Sequence, residues 1–216
     1  MWRLLLSVFI ASLIMMSQAN SQEAKLPFKE IQPVAKKSLE TFSQLVTDKN
    51  YKQMGFDSPE EVRSATLGTP IQDFMVRLDR LKKYEPGSRP DDLLTATGQV
   101  IYPVLVKDQV KSSMTISKNK ESWHAVSFGG PNFVKLISKT LVENSRKTGL
   151  DHSSYFLVRV PSVNLFFLGF RSTNELMLIP LMDDKKLGFK GGIGMKAEKI
   201  FTAILPDARA HNGLPR

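Results

Sequence analysis

Apolar and β-branched residues form three closely spaced runs in the middle of the chain. The runs cover residues 100–106, 111–117 and 122–128. Residues 107–110, which begin with Lys107-Asp108, separate the first pair, and four polar residues separate the second. Short polar connections between such runs are typical of an antiparallel meander. The pattern therefore predicts three consecutive strands, and the rest of the chain is expected to build onto their sheet.

Residues 28–46 carry apolar side chains at steps of three and four, which is the period of an amphipathic helix. The stripe consists of Ile31, Ala35, Leu39, Phe42, Leu45 and Val46. Because Pro33 fits best near a helix start, the regular helix is expected from about Gln32. A second, short helix is predicted to begin after Asp57 or Ser58, either of which can cap it, and to continue to about Thr66.

The second half of the chain repeats the order of three strands and a helix. Residues 131–148 have a helical stripe, with Pro131 in the first turn and Gly149 at the end. Strand-like runs then cover 155–160, 163–170 and 175–182. The middle run is almost continuously apolar, which predicts a central strand covered on both faces. A closing helix is expected over 195–205, ended by Pro206.

Residues 71–81 fit two patterns. Phe74, Val76 and Leu78 alternate with other residues, which favours a half-buried strand. A helical stripe of Phe74, Leu78 and Leu81 is the alternative. Without strand–helix–strand alternation, the predicted class is α+β, an antiparallel sheet of two three-strand meanders with flanking helices. This element order is similar to that of PAS, Cache and profilin folds, a resemblance that implies fold and not function.

The N-terminus has the three-part layout of a secretory signal peptide over residues 1–19. Arg3 precedes an apolar run of 13 residues, and small residues end at Ala19. The run is short for a membrane-spanning helix, although an uncleaved anchor is the alternative. Export, most simply to the periplasm, is therefore expected.

Three further segments are predicted behind the signal peptide. Residues 20–27 are polar and are expected to form a flexible leader. Residues 28–205 are expected to form a single α+β domain, followed by a tail at 206–216. With the signal peptide removed, no transmembrane span is predicted.

Charge and composition narrow the classes of partner. The formal net charge is +9, from 30 basic and 21 acidic residues. This excess could favour an anionic surface or an acidic protein, although a solvated surface is the simpler interpretation. Interleaved aromatic residues and an arginine-rich helix are both missing, so no nucleic acid is predicted as a partner. The chain has no cysteine, which excludes disulfides, thiolate metal sites and a cysteine nucleophile.

A glycine-rich segment near the C-terminus is the most tempting motif. Gly192-x-Gly194-x-x-Ala197 matches a dinucleotide fingerprint, but only 19 residues follow Ala197, too few for the parallel strand and acidic residue that it requires. A glycine-rich turn before a helix could still bind an anion. The candidate anion site comprises Lys190, Gly192, Gly194 and Lys196, and a plain tight loop is the alternative.

No catalytic, cofactor or metal motif is predicted. His124, His152 and His211 lack a second histidine or a carboxylate at ligand spacing. The serine pairs Ser112-Ser113 and Ser153-Ser154 lack an adjacent base. A non-enzymatic protein is therefore favoured, with an enzyme site assembled from distant residues as an open alternative.

Two binding functions remain. The first is an exported protein-interaction or chaperone-like module that uses an open sheet edge or a groove between sheet and helices. The second is a small-ligand sensor or carrier with a pocket on the sheet face. The wall of that pocket is predicted to include Tyr102, His124 and Tyr155.

Overall fold

A computed structural model of the protein describes residues 26–120, 122–173 and 175–213. Within these ranges the chain forms five α-helices and nine strands. The helices are α1 Phe28–Leu45, α2 Tyr51–Met54, α3 Leu78–Lys82, α4 Pro131–Thr148 and α5 Ala197–Ala210. The strands are β1 Thr66–Leu67, β2 Ile71–Val76, β3 Leu94–Val106, β4 Gln109–Lys118, β5 Trp123–Gly129, β6 Phe156–Val160, β7 Leu165–Ser172, β8 Glu175–Pro180 and β9 Met195–Lys196.

All nine strands belong to one open sheet. Their order is β5-β4-β3-β2-β6-β7-β8-β9. β1 pairs with the C-terminal part of β3, at Val104 and Leu105. Neighbouring strands are antiparallel except at the centre, where β2 and β6 run parallel. The two predicted meanders are thus β3–β5 and β6–β8, and β2 joins them. The predicted α+β class with a mainly antiparallel sheet is confirmed.

Helices cover both faces of the sheet. On the front face, α1 packs over β3 and β4, and α5 packs over β6, β7 and β8. On the back face, α4 packs over β6, β7 and β8 and also against β4. Phe167 and Leu168 on β7 are both fully buried and belong to the front and back cores respectively. The prediction of a central strand covered on both faces is therefore confirmed.

The ambiguous segment 71–81 contains both structures. Its first part is β2, a central strand with Phe74 and Val76 buried in the front core. After Arg77 the chain turns into the short helix α3, which buries Leu81. The preferred strand is thus confirmed only for the first six residues. The helical alternative fails there because the sheet satisfies the backbone of β2 on both sides.

Two predicted helix ends and one predicted helix are wrong. α1 begins at Phe28, four residues before Gln32, and accommodates Pro33 near its exposed first turn. α5 continues beyond Pro206 to Ala210. Pro206 has no amide hydrogen to donate to the carbonyl of Thr202, but Thr202 is exposed, so water can donate to that carbonyl instead. The segment predicted as a short helix up to Thr66 contains only a 3₁₀ turn at Glu61–Ser64.

The predicted signal peptide lies outside the described residues, as does most of the predicted leader. Among the described residues, no helix is both long enough and apolar enough to cross a membrane.

Candidate ligand-binding groove

Helix α1 has two neighbouring stripes of side chains with different roles. One stripe is buried against the sheet and consists of Ile31, Ala35, Ser38 and Phe42. The ring of Phe42 stacks on Phe128 of β5, with 5.2 Å between ring centroids, which fixes the C-terminal part of the helix over the sheet edge. The second stripe faces a groove and consists of Phe28, Gln32, Lys36 and Leu39. These positions follow one another at three- and four-residue steps, so they share a side of the helix.

The opposite wall comes from β1, its flanking residues and the floor of β3. It consists of Ala65, Thr66, Leu67, Gly68, Pro70 and Tyr102. The amide of Gly68 donates a hydrogen bond to the carbonyl of Pro103 at 2.8 Å, which holds this wall against β3. A Cβ atom at Gly68 would lie 3.2 Å from the Cβ of Pro103, so glycine permits the close approach. The groove therefore opens between α1 and β1 on the front face.

The groove has a volume of about 500 Å³ and walls that are mainly apolar. Of the described residues that line the groove, Lys36 alone carries a charge. Within the described part of the chain, Lys36 forms no ion pair, and neither Gln32 nor Tyr102 forms a side-chain hydrogen bond. The walls can therefore enclose an aliphatic or aromatic group, while three polar side chains are available to a ligand.

Tyr102 forms part of the floor of the groove. Its side chain is only 3% exposed, and it points to the front face with Met114 and Ile116 of β4. Burial raises the pKa of its hydroxyl above the usual value. The phenol consequently stays protonated at neutral pH and can donate a hydrogen bond to a ligand.

The other two residues of the predicted pocket lie elsewhere. His124 pairs with Ser117 across β4 and β5 and is exposed. Its neighbour Ala125 contacts the front core, so strand alternation places His124 on the back face. Tyr155 is buried beneath α4, where its hydroxyl lies 2.6 Å from that of Thr148. The structure therefore does not bring the three predicted residues together.

The residues of the predicted anion site lie around a turn that precedes β9. The set is Lys190, Gly192, Gly194 and Lys196. The amide of Gly192 donates to the carbonyl of Pro180, and the ammonium of Lys196 lies 2.7 Å from a carboxylate oxygen of Glu175. The following helix begins only at Ala197, after the short strand β9. Two of the four residues thus already have protein partners.

An ionic cluster around a buried aspartate lies at the centre of the sheet, and the sequence patterns did not predict it. Asp73 of β2 is 1% exposed and accepts a hydrogen bond from Nε of Arg159 on β6 at 2.9 Å. The hydroxyl of Thr97 lies 2.8 Å from the second carboxylate oxygen. Burial raises the pKa of Asp73, although the hydrogen bonds from Arg159 and Thr97 act in the opposite direction. The cluster joins the two parallel strands, and its members are too far apart in sequence to have been recognised.

A second ionic cluster holds the loop after α2. Lys111 of β4 is buried, and its ammonium lies 2.5 Å from Asp57 and 3.0 Å from Glu61. The hydrogen bond from Lys111 lowers the pKa of Asp57. These ion pairs connect the segment that precedes β1 to β4. Lys111 therefore does not belong to a solvated basic surface.

No metal site is found in the part of the chain that the structure describes, since no three residues of the ligating types come together there. Comparison with protein-family models, with curated proteins and with solved structures finds no match for this chain. The function must therefore be argued from the groove and from the exposed surfaces.

Proposed function

We propose that the protein is a non-enzymatic carrier or sensor that binds a small ligand in the groove between α1 and β1. The main supporting observation is the groove of about 500 Å³, which has mainly apolar walls and three polar side chains that have no partner among the described residues. Sites for small molecules typically enclose about 300–1,000 Å³ and combine apolar walls with a few orienting polar groups.

The proposal is tested by native mass spectrometry of the protein purified from its own compartment. The wild type is expected to carry a discrete small-molecule mass that is lost on denaturation. Leu39→Asp places a charge in the groove wall and should abolish this adduct. Leu45→Asp is the matched control, because Leu45 is on the same helix, is 45% exposed and does not line the groove.

Circular dichroism first establishes that both variants fold. An adduct that persists in Leu39→Asp, or disappears equally in Leu45→Asp, would contradict a site in the groove. A wild-type protein without any bound molecule would contradict the carrier function itself.

A second candidate function, protein interaction, is favoured by strand β5. β5 lies at the end of the sheet order and has seven residues without an aspartate, glutamate, lysine or arginine. Natural edge strands are usually protected by charges, proline or shortness. Val126 is 48% exposed at an irregularity in the pairing with β4. An extended segment of a partner could add to this edge through backbone hydrogen bonds.

This candidate predicts a stoichiometric polypeptide that co-purifies with the protein. Val126→Lys should remove the polypeptide, because a charge on the edge opposes strand addition. Met182→Lys is the control, since Met182 is 57% exposed and lies after β8, away from this edge. Equal co-purification with both variants would argue against the β5 edge.

Export to the periplasm is part of the proposal and rests on the layout of residues 1–19. The expected mature protein begins at Asn20. N-terminal sequencing of protein recovered from the periplasm checks this expectation, and an uncleaved, membrane-bound chain would contradict it.

A further inference from the structure

We infer that the ligand of the groove is an anionic amphiphile, a single aliphatic chain with a carboxylate or phosphate head. This inference rests on the proposed function and specifies its ligand. The head group would lie at Lys36 and Gln32, and the chain would lie along the apolar walls.

The charge of the groove determines the sign of the head group. Lys36 is the charged residue of the lining, and none of the described residues forms an ion pair with it. Glu40 follows Lys36 by one helical turn but is not paired with it either. An anionic head would therefore gain an attraction that a neutral or cationic head lacks.

Hydrogen-bond donors lie beside this charge. Gln32 and Lys36 are four residues apart on α1, so their side chains lie on adjacent turns of the same side. Tyr102 supplies a phenol from the floor, and burial raises its pKa so that it remains a donor. Carboxylate and phosphate oxygens accept several hydrogen bonds at once, and bonds to an ionised acceptor are the stronger kind.

The remaining walls suit an aliphatic chain. Phe28, Leu39, Leu67 and Pro70 contribute apolar surface along the groove. Gly68 has no side chain to project into it, and its backbone lies close to β3. Burial of such a chain would supply most of the affinity, and the head group would supply selectivity.

Isothermal titration calorimetry with ligands that share a twelve-carbon chain tests this inference. The probes are dodecanoate, dodecyl phosphate, dodecanol and dodecyltrimethylammonium, each added to the mature protein. The two anionic probes are expected to bind at least about tenfold more tightly than dodecanol, and the cationic probe least tightly. The ratio of the two anionic affinities distinguishes a carboxylate head from a phosphate head.

Variants at two adjacent lysines locate the charge effect. Lys36→Gln should reduce the affinity for the anionic probes about tenfold and leave dodecanol unchanged. Lys36→Glu should reverse the preference between the anionic and cationic probes. Lys37→Gln is the control, because Lys37 is on α1 but does not line the groove.

Equal binding of dodecanol and dodecanoate, or no effect of Lys36→Gln, would overturn the anionic ligand. If that equal binding is lost in Leu39→Asp, the groove itself remains the site and only the ligand class is wrong. Absence of binding by all four probes also overturns the inference. Native mass spectrometry of the purified protein then tests the carrier function independently.

Discussion

The two halves of the sheet differ in how completely they are covered. The half formed by β6, β7 and β8 lies between α5 on the front face and α4 on the back face. The half formed by β3, β4 and β5 has α1 on its front face, with the groove beside that helix, and α4 covers part of β4 on its back face. Its back face bears Thr115, Ser117, His124 and Ser127, all half-buried or exposed. Both halves have a buried core, but the half under α1 also has the groove and the exposed face on which the proposed functions depend.

This comparison predicts its largest effect in the closed half. Phe167→Ala removes a fully buried ring that contacts Phe189, so it should lower the free energy of unfolding by about 3–5 kcal/mol. Phe28→Ala in the open half is the control, because Phe28 is 42% exposed and should cost less than about 0.5 kcal/mol. Chemical denaturation measures both values. Similar losses in the two variants would contradict the contrast between the packed core under α5 and the exposed wall of the groove.

A smaller effect is expected at the boundary between the halves. Asp73→Ala leaves Arg159 without its carboxylate and should cost about 1–3 kcal/mol. The cost stays below that of fully buried pairs because the side chain of Arg159 is 32% exposed and can turn to water. Asp73→Asn keeps an acceptor and should cost less. Urea denaturation compares the variants, and an equal loss in both would show that the hydrogen bonds are unimportant.

The cluster around Lys111 should make stability depend on pH. Lys111 lowers the pKa of Asp57 below the usual 3.8, so the folded protein binds this proton less tightly than the unfolded chain does. The stability from this carboxylate is therefore present above the usual pKa and is lost as the pH falls through the lowered pKa. Lys111→Met should flatten the decrease in stability below about pH 4.

Thermal unfolding between neutral and acidic pH measures this dependence. Lys120→Met is the control, because Lys120 is an exposed residue of the turn after β4. It should retain the pH dependence of the wild type. An unchanged profile in Lys111→Met would mean that other carboxylates determine acid stability.

The smallest effect on stability is expected at the candidate site itself. Lys36→Gln should change the free energy of unfolding by no more than about 0.5 kcal/mol, since Lys36 is exposed and forms no ion pair with the described residues. Thermal unfolding without ligand checks this expectation. A large loss would show that Lys36 supports the fold and would weaken its assignment to ligand binding.

Periodicity predicted the buried side of α1 but not the side that lines the groove. Ile31, Ala35 and Phe42 repeat at helical spacing and are buried as expected. Gln32 and Lys36 look like ordinary surface residues, because only the packing of β1 beside them turns that surface into a wall. Sequence periodicity describes one helix at a time and does not report such a neighbour.

Strand register and helix packing explain why the three residues of the predicted pocket do not lie together. Tyr102 was correctly placed on the sheet, but a shift of one residue between strands moves every side chain to the other face. The irregularity between β4 and β5 near Val126 and the crossing of α4 over Tyr155 depend on tertiary packing. Asp73 and Arg159 likewise gave no local signal, since they meet across 86 residues of sequence.

The parallel pairing of β2 with β6 also has a consequence for the order of folding. Each meander joins neighbouring segments of chain, whereas β2 and β6 are separated in sequence by β3, β4, β5 and α4. Contacts between distant segments close more slowly than local ones. Amide hydrogens bonded between β2 and β6 are therefore expected to gain protection last in pulsed hydrogen exchange, and early protection there would show that the two meanders do not fold as separate units.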